Sequence, residues 1–535
     1  MLAWTSHGRS GANRPSGRIG EVVARTRPSE DLGELKAEAE PETSSAERDE
    51  DLDSWSTWGA ARDGARVVAT RPQQVILLML TVAGLILLAW RPRDVLIALL
   101  AGLTVTYLVT GGYKIWLLVR GERANSDGPL HAAAAMGDDL PMYSVLVPLN
   151  REARILPVLL ERLKSISYPP DRLEILLLIE MDDEETQRAL GECTLGINMR
   201  PVIAPPGQPR TKPRALNIGL SQARGEYVVI YDAEDQPDSD QLRKAVGMFA
   251  TMPDNVGCLQ ARLNFYNPTQ STLTRLFAVD YACWYDQMLA GLAYNRRPNS
   301  GEFVPLGGTS NHFRVETLRQ LGGWDPFNVT EDCDLGTRLG RAGLQVAMLD
   351  SVTWEEAVPR ARPWIRQRSR WVKGYIQSYL VHMRNPLRLL RQLGPRGFAD
   401  FQMLVGGSSL IALLNPILWA LTILYAASAG TEVARFIQTL FPLPLYYPSL
   451  LCLVVGNFIF FFCNAYVCVR HDYISLTRYT LLTPLYWILL SIGAWAGLLS
   501  LIRHPFYWAK TEHGVSLLQP GSAIAVDSAV AVESA

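Results

Sequence analysis

The sequence predicts an α/β domain, a mainly parallel sheet with helices on both faces, set between two groups of membrane-spanning helices. Three observations lead there. Apolar runs near both ends of the chain are long enough to enter a bilayer. Short β-branched runs alternate with helical periodicity in the middle, and each of those runs ends in a polar cluster.

Composition agrees. Of 535 residues, 48% are hydrophobic and 19% charged, where soluble domains run at about a quarter charged. Part of the chain is therefore expected in lipid. Basic and acidic residues balance at 51 against 52. That leaves no whole-chain electrostatic signal for nucleic acid, and no nucleic-acid partner is expected. The seven cysteines are scattered without a CxxC pair, which speaks against a disulfide scaffold or a zinc ribbon. The seven histidines show no HExxH spacing.

Residues 1–70 are rich in Arg, Glu, Asp, Ser and Gly, with an acidic stretch at Glu38–Asp53. They lack the apolar surface to offset chain entropy and are expected to form a disordered tail. No signal peptide is expected, because the first long apolar run starts at Val75. The runs Val75–Trp90 and Val95–Val119, separated by Arg91-Pro92-Arg93-Asp94, predict a transmembrane hairpin over 71–120. A buried hairpin of a soluble domain is the alternative. Residues 121–140 read as a polar linker.

The α/β domain is expected over 141–380. Tyr143–Leu149, Leu173–Ile179 and Glu226–Tyr231 are apolar strand-like runs with helical stretches between them. In such sheets ligands bind beyond the carboxyl ends of the strands. At those ends stand Asn150-Arg151-Glu152, Asp182-Asp183-Glu184-Glu185 and Asp232-Ala233-Glu234-Asp235. Residues 381–400 are expected at the membrane interface. Three apolar segments, about 401–427, 446–469 and 480–502, form a C-terminal membrane region within 401–514, and 515–535 is expected to be disordered. Pro484, Gly493 and Gly497 interrupt the last segment and basic residues flank it on both sides. This predicts a bent or re-entrant hairpin that returns to its starting face. No intramembrane charged pair suggests a transporter.

Four motifs carry possible chemistry, and each has a plainer reading. Asp232, Glu234 and Asp235 on a strand-end loop suit a hard divalent cation such as Mg²⁺ or Mn²⁺ that neutralises a leaving diphosphate, although acidic turns after strands are common. Lys212-Pro213-Arg214 before a helix can hold a phosphate or be a solvated turn. Glu331 and Asp332 open a helix, where the dipole favours acids and Thr330 can cap; the functional reading makes one carboxylate a general base. Gln367, Arg370 and Trp371 share a helix face, where the guanidinium can brace a diphosphate and the indole can support a sugar ring. The plainer reading there is an interfacial helix with snorkelling side chains.

Together these motifs resemble the processive family 2 glycosyltransferases, the group of cellulose, chitin and hyaluronan synthases. The resemblance rests on Asp182-Asp183, the DxD-like Asp232–Asp235, Thr330-Glu331-Asp332 and the QxxRW set Gln367–Trp371, in order and spacing over about 142–380. Trp508–Gly514 is similar to a closing WxKTxHG element of bacterial members. The resemblance implies a GT-A fold and an inverting single displacement. It places Glu152, Asp182, Asp183, Lys212 and Asp232 at the nucleotide sugar, and the metal on Asp232 and Glu234, with Asp235 able to share it. Glu234 stands where the family usually has Asp, which leaves open which carboxylates ligate. Asp332 would be the base. Gly308, Thr309, Glu331, Gln367, Arg370 and Trp371 would face acceptor and diphosphate, and Lys510, Thr511 and His513 would lie in a gating loop over 505–514.

The implied reaction takes sugar from a UDP-sugar to a growing β-glycan, with export through the membrane helices. A non-processive transferase with a lipid or polyprenyl-phosphate acceptor and an inactive nucleotide-binding scaffold are the alternatives. The expected partners are the donor, a glycan acceptor and membrane lipid; an export subunit is unknown. A cytosolic donor places 141–380 in the cytosol of a multi-pass inner or plasma-membrane protein. Arg470, His471 and Arg478 after the returning segment fit that orientation, against Arg435 alone in the loop 428–445.

Overall fold

The computed structural model describes residues 64–126, 140–294 and 303–506. Its strands are β1 (Tyr143–Leu149), β2 (Leu173–Glu180), β3 (Met199–Ala204), β4 (Tyr227–Ile230), β5 (Gln236–Pro237), β6 (Val256–Phe265), β7 (Asn311–Arg314) and β8 (Gln345–Glu355). They form one sheet in the order β3-β2-β1-β4-β7-β6-β8-β5. Pairing is parallel from β3 to β4 and between β6 and β8; β7 runs antiparallel to both its neighbours, as β5 does to β8. This is the expected mixed, mainly parallel sheet, in a GT-A-like arrangement.

The helices, in chain order, are α1 (Arg71–Trp90), α2 (Pro92–Ser126), α3 (Leu156–Lys164), α4 (Glu184–Gly191), α5 (Lys212–Gln222), α6 (Gln241–Thr251), α7 (Thr272–Tyr281), α8 (Leu289–Ala293), α9 (Val315–Gln320), α10 (Glu331–Arg341), α11 (Ala361–His382), α12 (Pro386–Phe401), α13 (Ser408–Ala427), α14 (Glu432–Thr439), α15 (Leu443–Leu451), α16 (Asn457–Arg470), α17 (Ile474–Thr477) and α18 (Thr483–Arg503). A π-helical turn, Ala282–Met288, joins α7 to α8.

Alternation along the strands divides the core. Val145, Val147, Ile175, Leu177 and Val229 pack on one face against Leu156, Leu159, Leu160 and Leu163 of α3. Leu146, Leu176, Leu178, Val228 and Ile230 pack on the other against Leu216 and Leu220 of α5. Each fully buried leucine contributes about 1.5–3 kcal/mol relative to exposure, so a one-residue slip in register would move both sets to the wrong face.

Among the described residues, five helical segments are long and apolar enough to cross a membrane: Arg71–Trp90, Pro92–Ser126, Pro386–Ala427, Leu443–Arg470 and Ile474–Arg503. On α1 the side chains of Leu77, Leu78, Met79 and Leu80 are all exposed, as expected of a surface that meets lipid rather than water.

Four boundaries differ from the sequence reading. Residues 64–70, assigned to the tail, are held on the domain: the Ala65 N–H donates to Asp325 Oδ2 at 2.6 Å and Arg384 Nη2 donates to the Gly64 carbonyl at 2.9 Å. The linker begins as helix, because α2 continues to Ser126 with Arg120 Nε on the Gly291 carbonyl and Asn125 on that of Asp286. The interfacial segment 381–400 is the end of α11 plus α12, which is broken at Gly394 (φ 68°) before Pro395. The bend expected in 480–502 is absent. Pro484 lies in the first turn of α18, where a missing N–H costs nothing, and the two glycines face α11 in an unbroken helix. Residues 1–63, 127–139, 295–302 and 507–535 lie outside the described residues, and with them Lys510, Thr511 and His513.

Candidate active site

One edge of the sheet collects the polar residues. The parallel strands β1, β2, β4 and β8 end there, and antiparallel β7 begins there. Ser310 N–H donates to the Ile230 carbonyl at 2.8 Å, which lays the loop 307–310 beside Asp232–Asp235. Asp182, Asp232 and Asp332, which are far apart in sequence, line one cavity of about 2030 Å³. Glu152, Lys212, Gly308, Gln367, Arg370 and Trp371 line the same cavity. It continues between the membrane-region helices, past Tyr107, Asn415, Trp419 and Tyr446.

Lys212 is the hub. As the first residue of α5, its buried ammonium contacts Asp232 Oδ1 at 2.5 Å, the Gly308 carbonyl at 2.8 Å and Glu331 Oε1 at 4.0 Å. Burial opposes its charge, but Asp232 and Glu331 outweigh that and raise its pKa. It ties the strand-end acids to the helix that bears Asp332.

Asp235 braces the acidic turn. Its Oδ2 accepts the Asp232 N–H at 2.7 Å and the Thr309 hydroxyl, while Oδ1 is buried without a partner. Burial, then the charges of Asp232 and Glu152, push Glu234 up to about 8. Burial, then Asp232 and Glu234, also raise Asp235. Protons or a cation must compensate this concentration of carboxylates. The donor chemistry and the orphaned oxygen fit a hard divalent ion, which takes oxygen ligands and keeps places for diphosphate oxygens. Among the described residues no three acidic, His or Cys side chains stand together as a ready-made ligand set.

Asp332 sits in the first turn of α10. Its Oδ1 accepts the Cys333 N–H at 2.7 Å, and a Cβ on Gly308 would lie 3.5 Å from Oδ2. Burial raises its pKa, with Lys212 and Arg370 pulling the other way. Burial pushes Glu331 up to about 7, Lys212 opposing. The plain capping reading of Thr330 does not hold, because its side chain makes no cap hydrogen bond. Instead a Cβ on Gly374 of α11 would run into Thr330. That glycine lets α11, carrying Gln367, Arg370 and Trp371, lie directly on the turn that presents Asp332. The buried Gln367 Oε1 has no hydrogen-bond partner, an acceptor atom left over at the cavity wall.

The acidic pair Asp182-Asp183 is divided. Asp182 pairs with Arg210 in the open part of the cavity. Asp183 is buried and caps α4: Oδ1 accepts the Thr186 N–H at 3.2 Å and Oδ2 accepts the Arg151 N–H. Arg151 has φ 57°, a left-handed conformation held by that bond. The Glu152 N–H donates to Thr186 Oγ1 at 3.1 Å.

Sequence reasoning missed Glu355, which lines the cavity at the end of β8. Burial, then Asp235, Glu234 and Asp232, raise its pKa. The rule that found the other acids would have found it, since Glu355-Glu356 stand at the carboxyl end of a strand. The run Gln345–Glu355, interrupted by Asp350 and Ser351, does not announce itself as a strand.

Sheet order and the acid-lined carboxyl edge define a GT-A-like domain. Residues 141–374 match the family model described as glycosyltransferase like family 2. Among similar proteins, a probable glycosyltransferase of Bacillus subtilis is 26% identical over 246 residues, 45% of this chain and 57% of that one. A beta-monoglucosyldiacylglycerol synthase of Trichormus variabilis is 27% identical over 279 residues (51% and 57%). A glucomannan 4-beta-mannosyltransferase of Arabidopsis thaliana is 28% identical over 258 residues (46% and 47%). The chain thus spans about half the length of the curated relatives it matches. Of solved structures, a mannosyltransferase of Pyrobaculum calidifontis in complex with GDP-Man and Mn²⁺ aligns with TM-score 0.46 and 19% identity, covering 75% of this chain and 99% of that one.

Proposed function

We propose that this protein is a membrane-embedded inverting glycosyltransferase that moves a sugar from a nucleoside diphosphate donor to the end of a growing polysaccharide. The observation that carries this reading is the single cavity. It joins a carboxylate rim, a proton acceptor and an aromatic wall to a passage between apolar helices.

In this reading Asp182 and Glu152 hold the nucleoside end of the donor, and Lys212 meets the diphosphate. Asp232 and Glu234, with Asp235 behind them, would hold a Mg²⁺ or Mn²⁺ ion that neutralises the leaving diphosphate. Asp332 accepts the proton of the acceptor hydroxyl as that oxygen attacks the anomeric carbon. Trp371 supports the acceptor ring, and Gln367 offers its spare oxygen to a hydroxyl. Positioning the two sugars in a closed wall supplies much of the remaining acceleration. The cytosolic face carries the domain, and the product leaves along Tyr107, Trp419 and Tyr446, whose rings suit sugar faces.

A second reading takes a lipid-borne acceptor whose tails occupy the same passage; it is favoured by the leucines that line it, Leu100, Leu103, Leu418 and Leu421 among them. Membranes containing the full chain, supplied with a panel of UDP- and GDP-linked sugars, test both. Metal-dependent release of nucleoside diphosphate is expected, lost with EDTA and restored by Mg²⁺ or Mn²⁺. A high-molecular-weight product on a gel supports elongation, and a single glycolipid supports the second reading. No turnover of any donor would refute both.

A further inference from the structure

The second residue of the QxxRW set, Arg368, is a buried cation that the reaction does not use. Its Nη2 donates to Asp280 Oδ2 at 3.0 Å and to the Tyr486 hydroxyl at 2.6 Å, and that hydroxyl donates in turn to the same Asp280 oxygen at 3.0 Å. Its guanidinium carbon lies 4.4 Å from the Trp371 ring centroid, 4.5 Å from that of Phe277 and 5.2 Å from that of Trp364. Tyr281 also stacks on Trp371, with ring centroids 6.5 Å apart and planes at 25°. Three elements meet here: α7 brings Asp280, α11 brings Arg368 and Trp371, and α18 brings Tyr486. The last arrives because α18 lies on α11 through Gly493 and Gly497. A Cβ at Gly497 would stand 2.5 Å from the Ser369 carbonyl. Lys373 closes the seam at its other end, donating to the His504 carbonyl at 2.8 Å.

We infer that Arg368 is a positioning residue for Trp371, and that the last apolar helix, through Tyr486, takes part in holding the acceptor wall. A planar guanidinium against an indole face fixes the ring's tilt in a way a lysine ammonium does not. The two hydrogen bonds to Asp280 and Tyr486 in turn fix the guanidinium. The inference rests on the proposed transfer reaction, with Trp371 as acceptor platform, and deepens it.

The test uses the full-length protein in detergent or nanodiscs and compares two rates, sugar transfer to acceptor and donor hydrolysis by water. Arg368→Met is expected to lower transfer about 10- to 100-fold, the cost of a small misplacement of a reacting partner. Donor hydrolysis and donor KM should stay within about twofold, because the donor side is untouched. Arg368→Lys should recover part of the transfer rate. Tyr486→Phe, which removes one hydroxyl and no packing, should lower it about threefold. The double variant Arg368→Met/Trp371→Ala should be no slower than Trp371→Ala alone. Losses that multiply in the double variant, or donor hydrolysis that falls with transfer, would overturn the inference. If wild type turns over no donor, the reaction itself is wrong. The same cycle is then read in Tm, where losses that do not add keep Arg368 as the support of Trp371 and losses that add remove it.

Discussion

Two carboxylates stand two residues apart in the first turn of α10, and the fold treats them in opposite ways. Asp332 faces the cavity, burial raises its pKa, and the Cys333 N–H donates to its Oδ1. Asp334 is 1% exposed and fully engaged. Its Oδ2 accepts from Arg338 Nε at 2.8 Å and its Oδ1 from His382 Nε2 at 2.9 Å. Burial alone would raise Asp334, but Arg338 and then His382 outweigh it and bring it down to about 2. Burial lowers the pKa of His382, Asp334 opposing, and its Nδ1 accepts from Arg341. Helix position and the dipole are nearly the same for both acids. The difference is the opposing surface, an open cavity for one and a cation from the next turn for the other.

Substitution separates them. Asp332→Asn keeps the shape and removes the proposed base, so the transfer rate should fall about 10²- to 10⁴-fold with Tm and nucleotide binding close to wild type. A variant that transfers normally would remove Asp332 from the chemistry. Asp334→Asn does the reverse. It breaks the buried pair between Asp334 and Arg338, a loss of about 3–5 kcal/mol, seen as a lower Tm and a smaller folded fraction. Activity per folded molecule should be nearly unchanged. If Asp334→Asn instead ran slowly at full stability, the division of labour would be wrong.

pH draws the same line. Asp332 must be ionised to accept a proton, and its folded pKa lies above the ordinary 3.8. The transfer rate should therefore fall as pH drops through that raised value, earlier than for a solvated aspartate. Arg370 lowers it, so in Arg370→Gln the acid limb of the remaining activity should shift to higher pH. Asp334 has its folded pKa below the unfolded one. Its contribution to stability is present above the unfolded value near 3.8 and is lost as pH falls through about 2. Activity should thus be lost at a pH where the Asp334 pair still holds. An acid limb that coincides with unfolding would merge the two.

What the sequence disclosed follows the same division. Runs such as Tyr143–Leu149 and Leu173–Glu180 are legible because both faces of a parallel strand are buried, and the acids behind them are legible because connectivity alone puts them on one edge. Asp334, Arg368 and the strap at Ala65 are not legible in that way. Each acquires its meaning from a partner far away in the chain: His382 and Asp280 at 48 and 88 residues, and Asp325 at 260. Strand β7, four residues long, carries too little pattern to be read at all. Gly493 and Gly497 were misread for a related reason. In isolation glycine signals a break, whereas here it makes room for α11.

Asp182 and Asp183 repeat the contrast at a smaller scale. The family resemblance gives both to the nucleotide, but both Asp183 oxygens already accept backbone N–H groups, and Asp182 is about half exposed beside Arg210. Asp183→Asn presents an amide N–H₂ to one of those donors and should cost about 1 kcal/mol of stability, with donor KM little changed. Asp182→Asn gives up at most a solvent-screened ion pair. Its Tm should stay put while donor KM rises about three- to tenfold, the worth of one hydrogen bond. The measurement is donor KM and Tm on both single variants. The reverse assignment, with Asp183→Asn raising KM at unchanged Tm, would mean that the donor displaces one of the backbone bonds. The loop at Arg151, held at φ 57° by that bond, would then have to move when the nucleotide binds.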